Sequence, residues 1–341
     1  MPDRYSRQVI FAPLGPEGQA RLRESTALIV GCGALGTHAA DHLARAGIGA
    51  LRLVDRDIVE WSNLHRQALY DERDAREGRP KAEALAEHLA AIASGVKIQA
   101  HARDFNHTNA LDLAAGADVL LDGSDSVPTR FLLNDVSWKL GVPWIYAGVI
   151  GGGGQVQLFT GTEPPCLRCQ TPELPPAGAI ATCDTAGVIG PAAGVVAGWQ
   201  AALALRRLAT RDAREMRGKR AILSPWDLSA RIVDVDPDPA CPVCKGGDLR
   251  ALEGAFADAS RVLCGRDAVQ VFPAARNAPF DLEKAASRLS SLGTVTYRKG
   301  HVRVASPEGF VLTLFEDGRG IFEGMTDALR ARSLYSRWVG Q

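Results

Sequence analysis

The chain has 341 residues, enough for two domains, and 46% hydrophobic with 23% charged residues is a composition typical of a folded globular protein. Basic and acidic residues number 39 each, which argues against a general nucleic-acid or membrane-surface binder, because such proteins carry a basic excess. The sequence shows neither a signal-peptide pattern nor an apolar run of the roughly 20 residues that a membrane span needs, so it predicts a cytoplasmic protein.

The first predicted elements are a strand, a helix and a second strand. An apolar run from Thr26 passes into Gly31-Cys-Gly-Ala-Leu-Gly36, an alanine-rich helical stretch follows to about Gly47, and the next strand ends at Asp55. Short apolar strands that alternate with helices are typical of a parallel α/β sheet. The alternation continues with a helix over 80–93, a strand over 118–122, a helix over 127–140 and a strand over 143–147. We therefore predict a Rossmann-like domain.

The pattern changes after this last strand. Gly151–Gly154 is predicted to break the chain, and residues 155–160 alternate like an antiparallel strand, so the sheet should be mixed. The proline-rich segment 163–187 is predicted to be a crossover loop with a function of its own, because it is long for a simple connection. A buried helix and two strands follow. We place the end of this first domain at residue 248, and we predict a small α+β domain without an assigned role over 249–341.

Three glycines between the first strand and the first helix, Gly31, Gly33 and Gly36, indicate a nucleotide-binding turn. Glycines let the backbone turn tightly and approach a phosphate, and the N-terminus of the following helix attracts the anion. Asp55 ends the second strand, where such folds place an acid on a ribose hydroxyl. The motif does not distinguish ATP from NAD, and a glycine turn without a ligand is the alternative.

Polar residues suited to phosphates or a metal follow the next two strands. Asn63 and Arg66 come shortly after the second strand, and Lys81 opens a helix. A triphosphate needs more cationic donors than a pyrophosphate does, so this group favours ATP. Asp122 and Asp125 are candidate Mg²⁺ ligands because both lie at the carboxyl end of a strand. We prefer Asp125 and regard Asp122 as the less favoured candidate. The alternatives are solvated surface residues and, for the aspartates, a helix N-cap.

Two pairs of cysteines predict a structural zinc site. Cys166-x-x-Cys169 and Cys241-x-x-Cys244 supply four thiolates, which close a tetrahedral site and leave no open position for catalysis. About 70 residues separate the pairs, so the ion would tie the crossover loop to the end of the first domain. The alternative is four buried thiols.

Cys183, in the predicted crossover loop, is a candidate nucleophile. A thiol on an accessible loop or near a helix N-terminus can ionise to a reactive thiolate. The alternative is a small buried hydrophobic residue, which is the usual state of a lone cysteine.

Together these segments resemble the ThiF/MoeB family, the ubiquitin-activating-enzyme-like adenylyltransferases that serve sulfur-carrier proteins. The resemblance runs from Tyr5 to about Gly247 through RYSRQ, GCGALG, LVDRDIVEWSNLHRQ, GRPKAE, DGSDS, PPCLRCQ, TCDTAGVIGP and CPVC, in the family's order. Eight segments in register are far more specific than a glycine motif alone. There are two departures: Ser126 stands where the family usually has asparagine, and the segment 249–341 is absent from the shortest members.

The resemblance implies roles for the matched residues. Arg7 is similar to a family arginine that reaches a nucleotide phosphate from the neighbouring subunit, which implies a homodimer. In some members the position of Cys183 carries a cysteine that becomes linked to the carrier. The other implied roles are loop and ribose contacts for Gly33 and Asp55, phosphate binding for Asn63, Arg66 and Lys81, a magnesium ligand for Asp125, and a zinc site for Cys166, Cys169, Cys241 and Cys244.

The resemblance also implies a reaction, in which MgATP adenylates the C-terminal glycine carboxylate of a small ubiquitin-like sulfur-carrier protein and releases pyrophosphate. A sulfur-donor enzyme would then allow a thiocarboxylate to form for thiamin, molybdopterin or tRNA thiolation. The stretch Gly151–Gly154 could leave room for the carrier's diglycine tail. The alternatives are adenylation of a non-protein acceptor such as a modified tRNA base, an NAD-dependent dehydrogenase, and a non-catalytic scaffold.

Overall fold

The computed structural model describes residues 4–175, 186–256, 260–263, 267–271, 280–298 and 300–339. These residues form two compact units, Met1–Phe256 and Ala257–Gln341. The sequence pattern places the division eight residues earlier, after residue 248. The later division has a structural reason: the backbone nitrogen of Ala251 donates to Asp135 Oδ2 at 3.0 Å, and Ala251 is buried in a cluster with Phe131. The segment that follows the second cysteine pair therefore packs in the first unit.

The first unit contains one sheet with helices on both faces. The helices are α1 (Ser6–Val9), α2 (Gly15–Glu24), α3 (Ala34–Ala46), α4 (Glu72–Glu77), α5 (Lys81–Ile92), α6 (Ala110–Ala114), α7 (Val127–Leu140) and α8 (Gly190–Thr210). The strands are β1 (Thr26–Val30), β2 (Ala50–Val54), β3 (Lys97–His101), β4 (Val119–Asp122), β5 (Trp144–Ile150), β6 (Gly153–Phe159), β7 (Lys219–Ser224) and β8 (Ser229–Asp234). Within the described residues, no helix has both the length and the apolar character needed to cross a bilayer.

The strand order β3-β2-β1-β4-β5-β6-β7-β8 confirms the predicted mixed sheet. Neighbours from β3 to β5 run parallel, and each later strand is antiparallel to the one before it. In β1, Ile29 packs in the cluster formed with α3, α5 and α8, whereas Leu28 packs in the cluster formed with α6 and α7. A central parallel strand is buried on both faces, which explains its unbroken apolar sequence. Because β1, β2 and β4 run parallel, their carboxyl ends lie at the same edge of the sheet.

The glycines predicted to break the chain are not free of neighbours. Gly153 and Gly154 begin β6, and a Cβ at Gly153 would lie 2.4 Å from the carbonyl oxygen of Leu223 on β7. A Cβ at Gly152 would lie 2.6 Å from Trp226 Cβ. These glycines therefore make room for this chain's own strands and hairpin, and the hypothesis that Gly151–Gly154 also leaves space for a carrier's tail stays a prediction.

The second unit is a small α+β fold, as the sequence predicts. Its strands are β9 (Ser260–Leu263), β10 (Ala268–Val271), β11 (Thr294–Arg298), β12 (His301–Ala305), β13 (Val311–Phe315) and β14 (Gly320–Glu323), and its helices are α9 (Leu282–Leu289) and α10 (Ala328–Trp338). The strands form an antiparallel sheet in the order β11-β12-β13-β14-β10-β9. Val302, Leu312 and Phe322 pack with Leu334 in its core.

His301 on β12 makes the stability of this unit depend on pH. It is 2% exposed, and neither ring nitrogen has a hydrogen-bond partner in the described structure. Burial, assisted by Arg303, lowers the pKa of His301 from 6.5 to about 4. Because the unfolded chain binds the extra proton more readily, stability that is present above pH 6.5 is lost as the pH falls through 4. The shift corresponds to about 3 kcal/mol.

We therefore expect amide hydrogen exchange in β12 and β13, corrected for intrinsic rates, to accelerate between pH 7 and pH 4. The variant His301→Leu, which cannot gain a proton, should show a much smaller pH effect. Equal pH dependence in the two proteins would contradict the assignment.

Candidate nucleotide-binding site and zinc centre

The loop between β1 and α3 has the shape of a phosphate cradle. Gly31 has a φ of +93°, and a Cβ at Gly36 would lie 1.9 Å from the carbonyl oxygen of Gly31, so both positions need glycine. Gly33 differs from them. A Cβ there would meet only ordinary contacts, 3.8 Å from Gln67 Nε2 and 3.9 Å from the carbonyl oxygen of Gly123. The missing side chain of Gly33 therefore leaves open space at the N-terminus of α3, where an anion is favoured.

Asp55 fixes this loop from the end of β2. Its Oδ2 accepts the Cys32 N–H at 2.6 Å, and its Oδ1 accepts the Asp57 N–H at 2.7 Å. Burial raises the pKa of Asp55, and the charge of Lys81 opposes that rise. Each carboxylate oxygen keeps a lone pair for a further donor such as a ribose hydroxyl. Tyr70 supports the same loop by donating to the Cys32 carbonyl at 2.8 Å, a contact that the sequence analysis missed.

The three predicted phosphate-binding residues differ in burial and in their present hydrogen-bond partners. Lys81 is buried at the start of α5, and its Nζ lies 3.4 Å from Asp57 Oδ2. Asn63 is buried and accepts the Glu60 N–H at 3.2 Å through Oδ1, so part of its amide shapes its own turn. Arg66 donates to the Ser62 carbonyl at 2.6 Å. That bond uses one nitrogen of the guanidinium, so other N–H groups of Arg66 remain to bind a phosphate.

The two aspartates at the end of β4 have different environments. Asp122 is fully buried; its Oδ1 accepts the N–H and the hydroxyl of Ser124, and its Oδ2 lies 2.9 Å from Arg130 Nε. Asp125 is exposed, and its carboxylate has no hydrogen-bond or ion-pair partner among the described residues. The N-cap of α7 is Ser126, not either aspartate. Asp125 is thus available to a metal, whereas both carboxylate oxygens of Asp122 are bound within and beside the loop.

Backbone contacts bring these segments to one site. A Cβ at Gly31 would lie 2.6 Å from the Gly123 carbonyl group, so the glycine loop and the loop after β4 touch. Arg7 is not part of this group. It is exposed on α1, which packs on the opposite end of α3 through a 2.9 Å bond from Gln8 Nε2 to the Ala46 carbonyl. Cys183 lies outside the described residues.

The four cysteines of the two CxxC pairs lie together and fit a zinc ion. Their sulfur atoms are all within 4.8 Å of one another. The Sγ atoms of Cys166 and Cys241 are 3.6 Å apart, and those of Cys169 and Cys244 are 3.5 Å apart. Tetrahedral Zn–S bonds of about 2.3 Å require S···S distances of about 3.8 Å. The hydrogen bond between Cys166 and Cys244 lowers the pKa of Cys166 to about 6 and raises the pKa of Cys244.

Two neighbouring residues of α7 hold both cysteine-bearing segments. Asn134 Oδ1 accepts the Leu167 N–H at 2.9 Å, inside the first pair. Asp135 Oδ2 accepts the Ala251 N–H at 3.0 Å, beyond the second pair. Burial raises the pKa of Asp135 to about 6. These contacts bring the zinc ligands together from distant parts of the sequence, and α7 also begins at the loop that carries Asp125.

Comparison with known proteins decides the family. The sequence profile of the ThiF family matches residues 5–243. The chain belongs to the ThiF family. It is 37% identical to the sulfur carrier protein ThiS adenylyltransferase of Bacillus subtilis (strain 168), over 100% of both chains. It is 38% identical to the sulfur carrier protein adenylyltransferase of Thermus thermophilus, over 71% of this chain and 90% of the relative.

Solved structures support the fold alone. The crystal structure of E. coli MccB with ATP matches 72% of this chain and 74% of that chain, with a TM-score of 0.61 and 23% identity. The sequence relatives confirm that this ThiF-family chain is an adenylyltransferase of the ThiF/MoeB type. They do not support the dehydrogenase alternative. The match over the full length of the B. subtilis enzyme also includes the second unit.

Two glycines of the loop form a matched pair for testing the cradle. Gly33→Ala places a methyl group in the open space with no close contact, so we expect near-wild-type stability and ATP affinity reduced at least about tenfold. Gly36→Ala puts the methyl group into the Gly31 carbonyl, so we expect destabilisation of roughly 1–3 kcal/mol or more. Calorimetric ATP titration and thermal unfolding measure both effects. Unchanged ATP affinity in Gly33→Ala would contradict the cradle.

Proposed function

We propose that this ThiF-family chain uses MgATP to adenylate the C-terminal glycine carboxylate of a small ubiquitin-like sulfur-carrier protein similar to ThiS, with release of pyrophosphate. The observation that carries the proposal is the open space above Gly33 at the N-terminus of α3, beside the charges of Asp55 and Lys81. The helix N-terminus and the Lys81 cation suit a nucleotide phosphate, and the Asp55 carboxylate suits a ribose hydroxyl. The choice of acceptor is supported by the B. subtilis relative, whose name specifies ThiS and whose full length is matched.

The proposed reaction exchanges one bond to phosphorus for another. A carboxylate oxygen of the carrier attacks the α-phosphorus of ATP, the bond to the pyrophosphate oxygen breaks, and an acyl-adenylate forms. The protein's task is to hold the carboxylate in line and to neutralise the phosphates. We assign Lys81, Asn63 and Arg66 to phosphate oxygens and Asp55 to the ribose. With Asp125 as its protein ligand, Mg²⁺ would supply further charge neutralisation.

The position of Arg7 supports a homodimer in which each site receives this residue from the other subunit. Arg7 lies on α1 at the C-terminal end of α3, and the site lies at its N-terminal end. A helix of 13 residues spans about 20 Å, which is more than an arginine side chain can bridge. Within one chain Arg7 is thus too far from the phosphates. We propose that the neighbouring subunit brings its Arg7 to the site.

After adenylation, sulfide-level sulfur supplied by a donor enzyme would attack the acyl carbon, displace AMP and leave a thiocarboxylate on the carrier. Cys183 remains a predicted nucleophile for this stage, either as an acceptor of the acyl group or as a carrier of sulfur. The carrier could serve thiamin, molybdopterin or tRNA thiolation, and the similarity to the ThiS enzyme favours the first.

The test is ATP–pyrophosphate exchange by the purified full chain. We expect exchange that depends on a ThiS-like carrier ending in diglycine. The matched control is the same carrier without its terminal glycine, which should support no exchange because the carboxylate then stops short of the α-phosphate. Exchange supported by tRNA in place of a carrier would favour the modified-base alternative. ATP binding with no exchange for any acceptor would contradict the proposal.

A further inference from the structure

We propose that Arg130 is a positioning residue that holds the loop 122–125 so that Asp125 faces the metal–nucleotide complex. This inference rests on the proposed function, because it assigns Arg130 a role in that same site. Arg130 lies in the first turns of α7, and its side chain is 16% exposed.

The guanidinium of Arg130 binds one carboxylate and two backbone carbonyl groups. Its Nε lies 2.9 Å from Asp122 Oδ2, and its Nη2 donates to the carbonyl oxygens of Ser124 at 3.0 Å and Ala147 at 3.2 Å. Its plane lies over the ring of Tyr146, with 5.0 Å from Cζ to the ring centroid. Arg130 therefore ties the loop after β4 to the neighbouring strand β5.

The loop depends on this clamp because Asp122 is its internal anchor. One carboxylate oxygen of Asp122 accepts both the N–H and the hydroxyl of Ser124, at 2.9 and 2.7 Å, which folds the turn that leads to Asp125. The other oxygen is bound by Arg130. A fully buried carboxylate needs a paired cation to stay ionised, and Arg130 is that cation. Asp125 itself forms no hydrogen bond or close ion pair with the described residues, and it feels the charges of Arg56 and Arg130. The loop therefore sets its direction.

The remaining sides of the loop are already fixed by other contacts. Gly123 donates its N–H to the Val30 carbonyl at 2.8 Å, and Gln200 Nε2 donates to the Asp122 carbonyl at 2.8 Å. These bonds hold the loop's start but not Ser124. The Ser124 carbonyl, immediately before Asp125, is held by Arg130. Loss of Arg130 should thus leave the nucleotide cradle in place and release the metal ligand.

The experiment measures the dissociation constant of ATP with Mg²⁺ and with EDTA, using the full chain without a carrier. In the wild type we expect Mg²⁺ to tighten ATP binding, and in Asp125→Asn we expect this gain to disappear. In Arg130→Gln the tightening of ATP binding by Mg²⁺ should be about tenfold smaller, because a small displacement of the metal ligand Asp125 has a large effect. The affinity of this variant for ATP in EDTA should stay close to wild type. Arg130→Lys, which can replace only some of the bonds, should recover part of it.

Ser124→Ala is the second variant, because it removes one bond to Asp122 without leaving a buried charge unpaired. It should lose part of the Mg²⁺ gain even if Arg130→Gln does not fold. The inference is overturned if Arg130→Gln or Ser124→Ala keeps the full gain, or if ATP affinity falls equally with and without Mg²⁺. If the wild type binds no ATP, the proposed function fails first, and that outcome is separate from the others.

Discussion

Asp125→Ala should lower carrier-dependent ATP–pyrophosphate exchange by roughly 10²–10³-fold and leave the melting temperature unchanged. The reason is that Asp125 is exposed and forms no hydrogen bond or close ion pair with the described residues, so its removal should cost the fold little, while the proposed magnesium loses its protein ligand. Exchange rates at saturating Mg²⁺ and thermal unfolding of the same preparation measure the two effects. The exposed Asp236 supplies a control, since Asp236→Ala makes the same change of charge away from the loop.

Asp122→Ala should behave in the opposite way. It leaves the guanidinium of Arg130 buried without its carboxylate and removes the oxygen that accepts both bonds from Ser124, so we expect a loss of about 3–5 kcal/mol of stability. Urea unfolding measures it. If Asp122→Ala were stable but inactive and Asp125→Ala fully active, the two roles would be reversed.

Cys244→Ala should release zinc and destabilise the first unit by more than about 3 kcal/mol. The ion is proposed to tie the segments around Cys166 and Cys241, 75 residues apart, which are also linked through Asn134 and Asp135. Metal analysis and urea unfolding measure the change, and EDTA should reproduce it in the wild type. Histidine also binds zinc and Cys244 is half-buried, so Cys244→His should keep the ion.

Two outcomes would count against a structural zinc. The first is a purified wild-type chain without metal that unfolds at the same urea concentration as one reconstituted with zinc. The second is a Cys244→His variant that loses as much stability as Cys244→Ala, since that result would point to packing of the thiols instead of coordination.

Several features could be predicted from the sequence because their causes are local. The βαβ opening follows from short apolar runs and an alanine-rich helix, and the helix over 127–140 was predicted with its observed bounds. Two causes lie within the glycine turn itself: the positive φ of Gly31 and the close approach of Gly36 to the Gly31 carbonyl. The four-cysteine cluster, which fits zinc, follows from ligand chemistry, since two CxxC pairs have few other uses in one chain.

The tertiary structure decided what depends on residues far apart in the sequence. Whether Asp122 or Asp125 is free was set by Arg130 and by the strands around it, and neither aspartate's spacing contains that information. Gly153 belongs to a stretch predicted to break the chain, yet it lies in β6, where β7 approaches it too closely for a side chain. Local sequence thus determines the elements and the types of ligand. Packing between distant segments determines which polar groups are buried in pairs and which remain available for chemistry, because burial and pairing arise only when the strands meet.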